Sequence, residues 1–407
     1  MDYPRWQKQA LNEALVSRRI VLLTGPRQCG KTTLAKQLVS KTVEYRTLDD
    51  ATLRQAAEND PQGFVESGRK NGTLIIDEVQ RVPDILTAVK KVVDQNNRPG
   101  QYLLTGSANV QSLPTVQESL AGRVAKIRLR PLSQGEISRR EPRFLDRAFS
   151  RDFRSEQHTR KDIVDFAFRG GFPEAVRLPA DKRKNWHQDY IDALIERDLK
   201  DVANIHKTDV MRELVDILAA WSSKFMIVSD IGAGLALERK TLASYISALE
   251  ALYLVETVAP WTKTDYDRVG KQSKIFMSDT GMMAALLGWK PEQMQLDSDR
   301  AGKMFETFAY NQLAAQIDTH DNMYRLYHYR DREKREIDFL IEREDQSLLG
   351  VEVKSGSTVR GGDFQHLRWF EANLTKKGKP FTGIVLYTGE SVVPFGDNLW
   401  AVPFGAL

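Results

Sequence analysis

The chain has 407 residues, 41% of them hydrophobic and 28% charged, enough for two or three domains with a core in each. Its net charge of +4 at pH 7 is compatible with nucleic acid without demanding it. The single cysteine, Cys29, excludes an internal disulfide and any multi-cysteine metal site. No stretch reaches the ~18 apolar residues of a membrane helix, and MDYPRWQKQA lacks the apolar core of a signal peptide, so a cytoplasmic protein is expected.

The first ~130 residues alternate strand and helix signals, as a parallel sheet covered by helices requires. Ile20–Leu23 is an apolar run suited to a strand buried on both faces. Thr24-Gly25-Pro26 breaks it, and Leu34, Leu38 and Val39 then recur at helical spacing. Between strand and helix, Gly25, Gly30, Lys31 and Thr32 fit G-x-x-x-x-G-K-[ST], in the context that makes this pattern a phosphate site. Gly25, Pro26, Arg27, Gln28, Cys29, Gly30, Lys31, Thr32 and Thr33 are therefore read as the nucleotide loop. Its backbone N–H groups would surround phosphate, Lys31 would reach the β- and γ-phosphates, and Thr32 would bind Mg²⁺. Cys29, at a helix N-terminus rich in N–H dipoles, is expected to be an accessible, reactive thiol that ATP protects.

Glu44–Asp49 reads as a second strand. The next, Gly72–Glu78, is an apolar run ending abruptly in two carboxylates. Ligands sit at the carboxyl ends of strands in open α/β sheets, so Asp77 falls beside Mg²⁺ and Glu78 beside an attacking water, as a base for hydrolysis. Gln101–Asn109 is a further strand, whose Ser107 and Asn109 would sense the γ-phosphate or orient water, or else cap a turn. Val124–Leu129 ends the sheet. Just before it, Arg123 is either an arginine finger, in cis or from a neighbouring subunit, or a surface charge. Thr262-Lys263-Thr264-Asp265 resembles the base-reading motif of a GTPase but lies far beyond the sheet, so ATP is expected.

Arg139 to Lys161 is arginine-rich and mixed with acids, a solvated lid or linker or else a nucleic-acid stripe. Trp186–Val202 reads as a helix after the turn at Arg169–Pro173. Met211–Trp221, Val228–Ala233 and Arg239–Leu252 then read as three helices, followed by a strand or wing from Leu254 to Val258. That is the layout of a winged helix-turn-helix, whose third helix would offer Arg239, Lys240, Thr241 and Ser244 to DNA, or serve a protein contact. Further on, Met304–Ile317 is a helix carrying Glu306, and Glu336–Glu342 and Leu349–Lys354 are strands. Period-2 alternation puts Glu352 and Lys354 on one face, and in a hairpin Asp338 falls beside them. Asp338, Glu352 and Glu306 would then hold a second Mg²⁺, with Lys354 polarising a phosphate or water; the alternative is a solvated sheet face.

The segments LLTGPRQCGKTTL, LDD (Leu48–Asp50), LIIDEVQ, LLTGSAN, ESLAGR, GGFPE, MSDTG (Met277–Gly281), FETF, EIDFLI and VEVKSG occur in this order along nearly the whole chain. In them the chain resembles a family of bacterial and archaeal AAA-type ATPases. Its members pair an N-terminal P-loop domain with a C-terminal domain of uncharacterised function similar to PD-(D/E)xK nucleases. The resemblance implies ATP binding and slow hydrolysis, with Lys31 and Thr32 on phosphate and Mg²⁺, Asp77 on Mg²⁺, Glu78 as base and Ser107 as sensor. From the nuclease-like superfamily it implies Glu306, Asp338, Glu352 and Lys354 as a site. Cys29 is a departure, since the resemblance leads to an aliphatic residue there.

The expected fold class is thus α/β: a P-loop ATPase domain at 1–135, a helical lid at 136–205, a winged helix-turn-helix-like domain at 206–290 and a PD-(D/E)xK-like domain at 291–407. The leading expectation is an ATPase whose nucleotide state controls a DNA-directed, nuclease-like domain. The alternative is a regulatory switch that binds DNA or a protein partner without cleaving. Homo-oligomerisation is compatible with both.

Overall fold

The computed structural model describes residues 3–68, 72–106, 122–198, 208–235, 237–264, 271–320, 323–375 and 379–407. Ser107, Asn109, Val202, Asp265 and the first four residues of ESLAGR lie outside them. The chain divides into two compact units that do not follow chain order. The first comprises Met1–Pro131 with Ala193–His206 and Ser247–Leu254; the second comprises Leu132–Asp192, Lys207–Ile246 and Val255–Leu407. No helix among the described residues is long and apolar enough to cross a membrane.

The first unit is a five-stranded, all-parallel sheet: β1 (Ile20–Thr24), β2 (Val43–Thr47), β3 (Thr73–Asp77), β4 (Tyr102–Thr105) and β5 (Val124–Arg128), in the order β2-β3-β4-β1-β5. Helices α1 (Gln7–Ser17), α2 (Lys31–Lys36), α3 (Ala51–Asn59), α4 (Pro61–Glu66) and α5 (Asp84–Gln95) surround it. The apolar run of β1 is continuous because consecutive side chains enter two cores. Ile20 and Leu22 pack with Ile76, Leu104 and the α5 residues Ile85 and Val89, whereas Val21 and Leu23 pack with Ile75, Leu103, Leu11 and Leu34. With every pairing parallel, Thr24, Asp77 and Thr105 end their strands at the same edge.

Two strands stop two or more residues earlier than the sequence pattern suggests. β2 ends at Thr47 because Asp50 turns outward to cap α3, accepting from Leu53 N at 2.9 Å, and Asp49 pairs with Arg81 at 2.6 Å. β4 ends at Thr105 rather than running on to Asn109.

In the second unit, β6 (Val255–Val258) and β7 (Lys274–Met277) form an antiparallel pair. A six-stranded mixed sheet holds β8 (Tyr324–Arg330), β9 (Glu336–Arg343), β10 (Leu348–Val353), β11 (Phe381–Tyr387), β12 (Val393–Gly396) and β13 (Leu399–Pro403), in the order β12-β13-β11-β10-β9-β8. β8, β9 and β10 form an antiparallel meander, while β10, β11 and β13 run parallel. The helix Gln365–Leu374 covers one face through Leu367 and Phe370, which share a core with Leu340, Phe381 and Val385. The helix Ser298–Ile317 starts at Asp297, whose side chain accepts from the N–H groups of Asp299 and Arg300.

The segment expected as one helix from Trp186 to Val202 is instead an α-helix over Ala180–Ala193 that widens into a π-helical turn at Leu194–Asp198. Thr208–Trp221, Val228–Gly232 and Arg239–Ala251 are helices, and β6 and β7 follow them in the chain. The GGFPE and MSDTG segments meet at Asp279, which caps the helix Thr280–Leu286 through Met282 N at 2.8 Å and accepts from Gly171 N at 2.6 Å.

Candidate functional site

The nucleotide loop joins β1 to α2. Gly25 has φ +146° and an added Cβ would stand 2.1 Å from Leu129 O, so neither the backbone nor the space admits a side chain. Gly30 (φ +102°) and Gln28 (φ 59°) complete a turn that non-glycine residues adopt at a cost. Arg5 clamps this turn from outside the motif: one guanidinium nitrogen donates to Cys29 O and the other to Arg130 O, both at 2.6 Å. Lys31 is 5% exposed, and its ammonium donates to Gly25 O at 3.0 Å and Pro26 O at 2.8 Å. Arg27, Gln28 and Thr33 are exposed, and Pro26 is buried.

Cys29 corrects the expectation of an accessible thiol. It is 0% exposed, lies in the core with Leu23, Leu34 and Leu129, and directs Sγ at Leu129 O, 3.4 Å away. The position is an apolar anchor for the loop, which accounts for its small, soft side chain.

Asp77 is the polar centre of the sheet edge and is 2% exposed. Its Oδ2 accepts from Thr32 Oγ1 at 2.9 Å and from Tyr45 OH at 2.6 Å, while Oδ1 accepts from Thr105 Oγ1. Burial, and then the bond to Asp77, push the Tyr45 phenol well above its ordinary range, so it stays a donor. Glu78 sits in left-handed conformation (φ 60°, ψ 46°) as a non-glycine residue; such strain clusters at functional sites. Its N–H points to Thr105 Oγ1 at 3.4 Å and its carboxylate accepts from Gln80.

Tyr45 and Thr105 are contributors that the sequence reading passes over. Thr105 had a signal, being the last strand residue before Gly106 at the same edge; Tyr45 has none without the strand register. Arg123 pairs with Asp94 at 2.5 and 3.1 Å, which holds that carboxylate below its usual range.

In the second unit the β9–β10 register sets Asp338 opposite Glu352, next to the pair Phe339–Val351, and Val353 N donates to Asp338 Oδ2 at 2.9 Å. Glu306 reaches the same cluster from its helix. The cation among these carboxylates is not the expected one, however. Lys274 of β7, 1% exposed, places Nζ 2.6 Å from Glu336, 2.8 Å from Glu306 and 3.3 Å from Asp338. Lys354 stands apart, 3.7 Å from Glu352 and with 38% of its side chain exposed. Among the described residues no three His, Cys, Asp or Glu side chains are grouped to hold a metal ion. Glu306, Asp338 and Glu336 thus form a carboxylate cage around the Lys274 ammonium.

The electrostatics of the cage follow from that geometry. Burial opposes the charge on Lys274, but Glu306, Asp338 and Glu336 outweigh it and hold the ammonium charged. Burial and Asp338 push Glu306 up to about 8 and Glu352 well above the carboxylate range; Glu352 Oε1 is buried without a hydrogen-bond partner among the described residues. His328 is pushed down to about 4, first by burial and then by Lys274, and donates Nε2–H to Gln272 O at 3.0 Å. Lys274 carries no local sequence signal, its burial being set by the fold around β7, whereas Glu336 alternates with Asp338 onto one face.

Residues 17–138 match the family model of an AAA domain, 160–293 that of a domain of unknown function (DUF8612), and 301–407 that of another (DUF4143). The uncharacterized proteins Rv2008c of Mycobacterium tuberculosis and Mb2031c of Mycobacterium bovis are each 28% identical over 394 residues, covering 97% of this chain and 82% of their own. Among solved structures, the Walker-type ATPase PABY2304 of Pyrococcus abyssi is 14% identical, with a TM-score of 0.42 over 69% of this chain and 94% of that one. A point variant of RuvB from Thermotoga maritima is 22% identical, with a TM-score of 0.29 over 64% and 92%. At these scores the structural likenesses carry no argument. The match at 17–138 spans β1, the glycine loop and the Asp77 edge, and it makes this part of the chain an AAA-type P-loop domain.

Proposed function

We propose that the chain is an Mg²⁺-dependent ATPase whose nucleotide state controls its second unit. The observation that carries the reading is the convergence of Lys31, Thr32, Asp77 and Thr105 at one sheet edge, with Thr32 Oγ1 2.9 Å from Asp77 Oδ2. Hydroxyl and carboxylate fit Mg²⁺, which would neutralise phosphate charge when bound. Lys31 exchanges its bonds to Gly25 O and Pro26 O for phosphate oxygens, and the loop N–H groups hold the β-phosphate. Glu78 takes the proton from the water that attacks the γ-phosphorus, and ADP leaves with the electron pair of the broken bond. Lys31→Ala removes the cation that faces the phosphates and should abolish ATP binding; calorimetry showing parental affinity would overturn the reading.

For the second unit, Lys274 inside the carboxylate cage supports an element that binds DNA or a protein partner without cutting it. Arg239, Lys240 and Ser244, exposed on the helix Arg239–Ala251, are the proposed DNA-facing residues, in the order of a winged helix-turn-helix. Incubation with plasmid, single-stranded DNA and RNA, with Mg²⁺ or Mn²⁺ and with or without ATP, should leave all three intact. Cleavage that disappears in Lys354→Ala would restore the nuclease reading.

A further inference from the structure

The arginine-rich stretch beginning at Arg139 lines a cleft of about 390 Å³ lying wholly within the second unit. Arg140, Arg143, Arg147 and Arg154 line it against two carboxylates, Glu141 and Glu156, and Phe144 contributes an apolar wall. The carboxylates are spoken for unevenly. Glu141 takes Arg143 at 2.5 Å; Glu156 stands 3.7 Å from Arg140 and is shared with His158 at 3.3 Å. Arg154 pairs with Asp152 at 3.2 Å.

Arg147 is different. Half-buried beside the cleft, its guanidinium makes no hydrogen bond or ion pair among the described residues, and it is near enough to Arg140 to repel its charge. Burial holds the Arg140 guanidinium below its ordinary range while Glu156 opposes that shift, and the guanidinium is tied to Gly405 O at 2.9 Å. Two like charges beside a ligand-sized space, one of them without a counter-ion, form an arrangement that an anion stabilises. Guanidinium forks match phosphate oxygens, and a cleft of this volume has room for the rest of a small molecule against Phe144.

We propose that this cleft binds a phosphate-bearing small molecule of nucleotide size, its phosphate held between Arg140 and Arg147. It shares no residue with the glycine loop, and its binding does not depend on that loop.

The test uses full-length Lys31→Ala protein, so that the glycine loop does not contribute, titrated calorimetrically with each of the four ribonucleoside monophosphates and with inorganic pyrophosphate. At least one monophosphate should bind at one equivalent. Arg147→Gln, which breaks no hydrogen bond or ion pair among the described residues, should weaken it at least about tenfold, the loss of one charge-assisted contact. The thermal midpoint of each variant checks folding, which matters most for Arg140→Gln because it loses the bond to Gly405. Binding that survives Arg147→Gln, binding of pyrophosphate alone, or no binding by any of the five would overturn the proposal.

Discussion

The nucleotide edge of the first unit and the carboxylate cage of the second are built from different kinds of atoms. At the edge, the proposed ligand groups are backbone amides of one loop, shaped by glycines at φ +146° and +102°, with side chains added from three parallel strands. In the cage the charged groups are all side chains, and they come from β7, β9 and a helix far apart in sequence. A backbone site is written in consecutive residues. A side-chain cage depends on which cation folding brings inside, and no local pattern states that.

The largest expected effect is on the cage. Lys274→Met leaves carboxylates buried together without their cation, and should destabilise the protein by about 3–5 kcal/mol in urea unfolding. Adding Glu336→Gln should recover part of the loss, whereas a single variant as stable as the parent would mean the ammonium does not hold the cage.

The pH response separates the two regions next. Burial and Asp338 raise Glu306 to about 8 in the fold, against an ordinary value of 4.5. A raised carboxyl favours the folded state while protonated, so its contribution is whole below pH 4.5 and is lost as pH rises through about 8. Unfolding midpoints should fall across that window, and Glu306→Gln should flatten the slope; an unchanged slope would take the titration away from this group.

These differences explain what was legible beforehand. The strand–loop–helix of the first unit and the Asp338–Glu352 pairing followed from apolar runs and period-2 alternation, because both are rules of local geometry. Lys274 was missed because its partners lie 32, 62 and 64 positions away, at Glu306, Glu336 and Asp338. Cys29 misled because a dipole argument at a helix N-terminus ignores which way the side chain turns. Sγ turns into the core, where reagent does not reach.

Two smaller effects sharpen the contrast. Native protein should resist maleimide at Cys29 with or without Mg·ATP and react only once unfolded; rapid labelling blocked by Mg·ATP would show an exposed loop. Arg123→Ala should leave the unfolding midpoint nearly unchanged, as expected of a solvent-screened pair with Asp94. A large fall in ATP turnover with that change would place the guanidinium in the reaction.

The central claim is that the first unit hydrolyses ATP with Glu78 as its base. Steady-state turnover of Mg·ATP by the parent and by Glu78→Gln, with nucleotide affinity measured on the same samples, tests it most directly. The account predicts affinity retained and turnover lowered at least ~100-fold; equal turnover in the two proteins would contradict it.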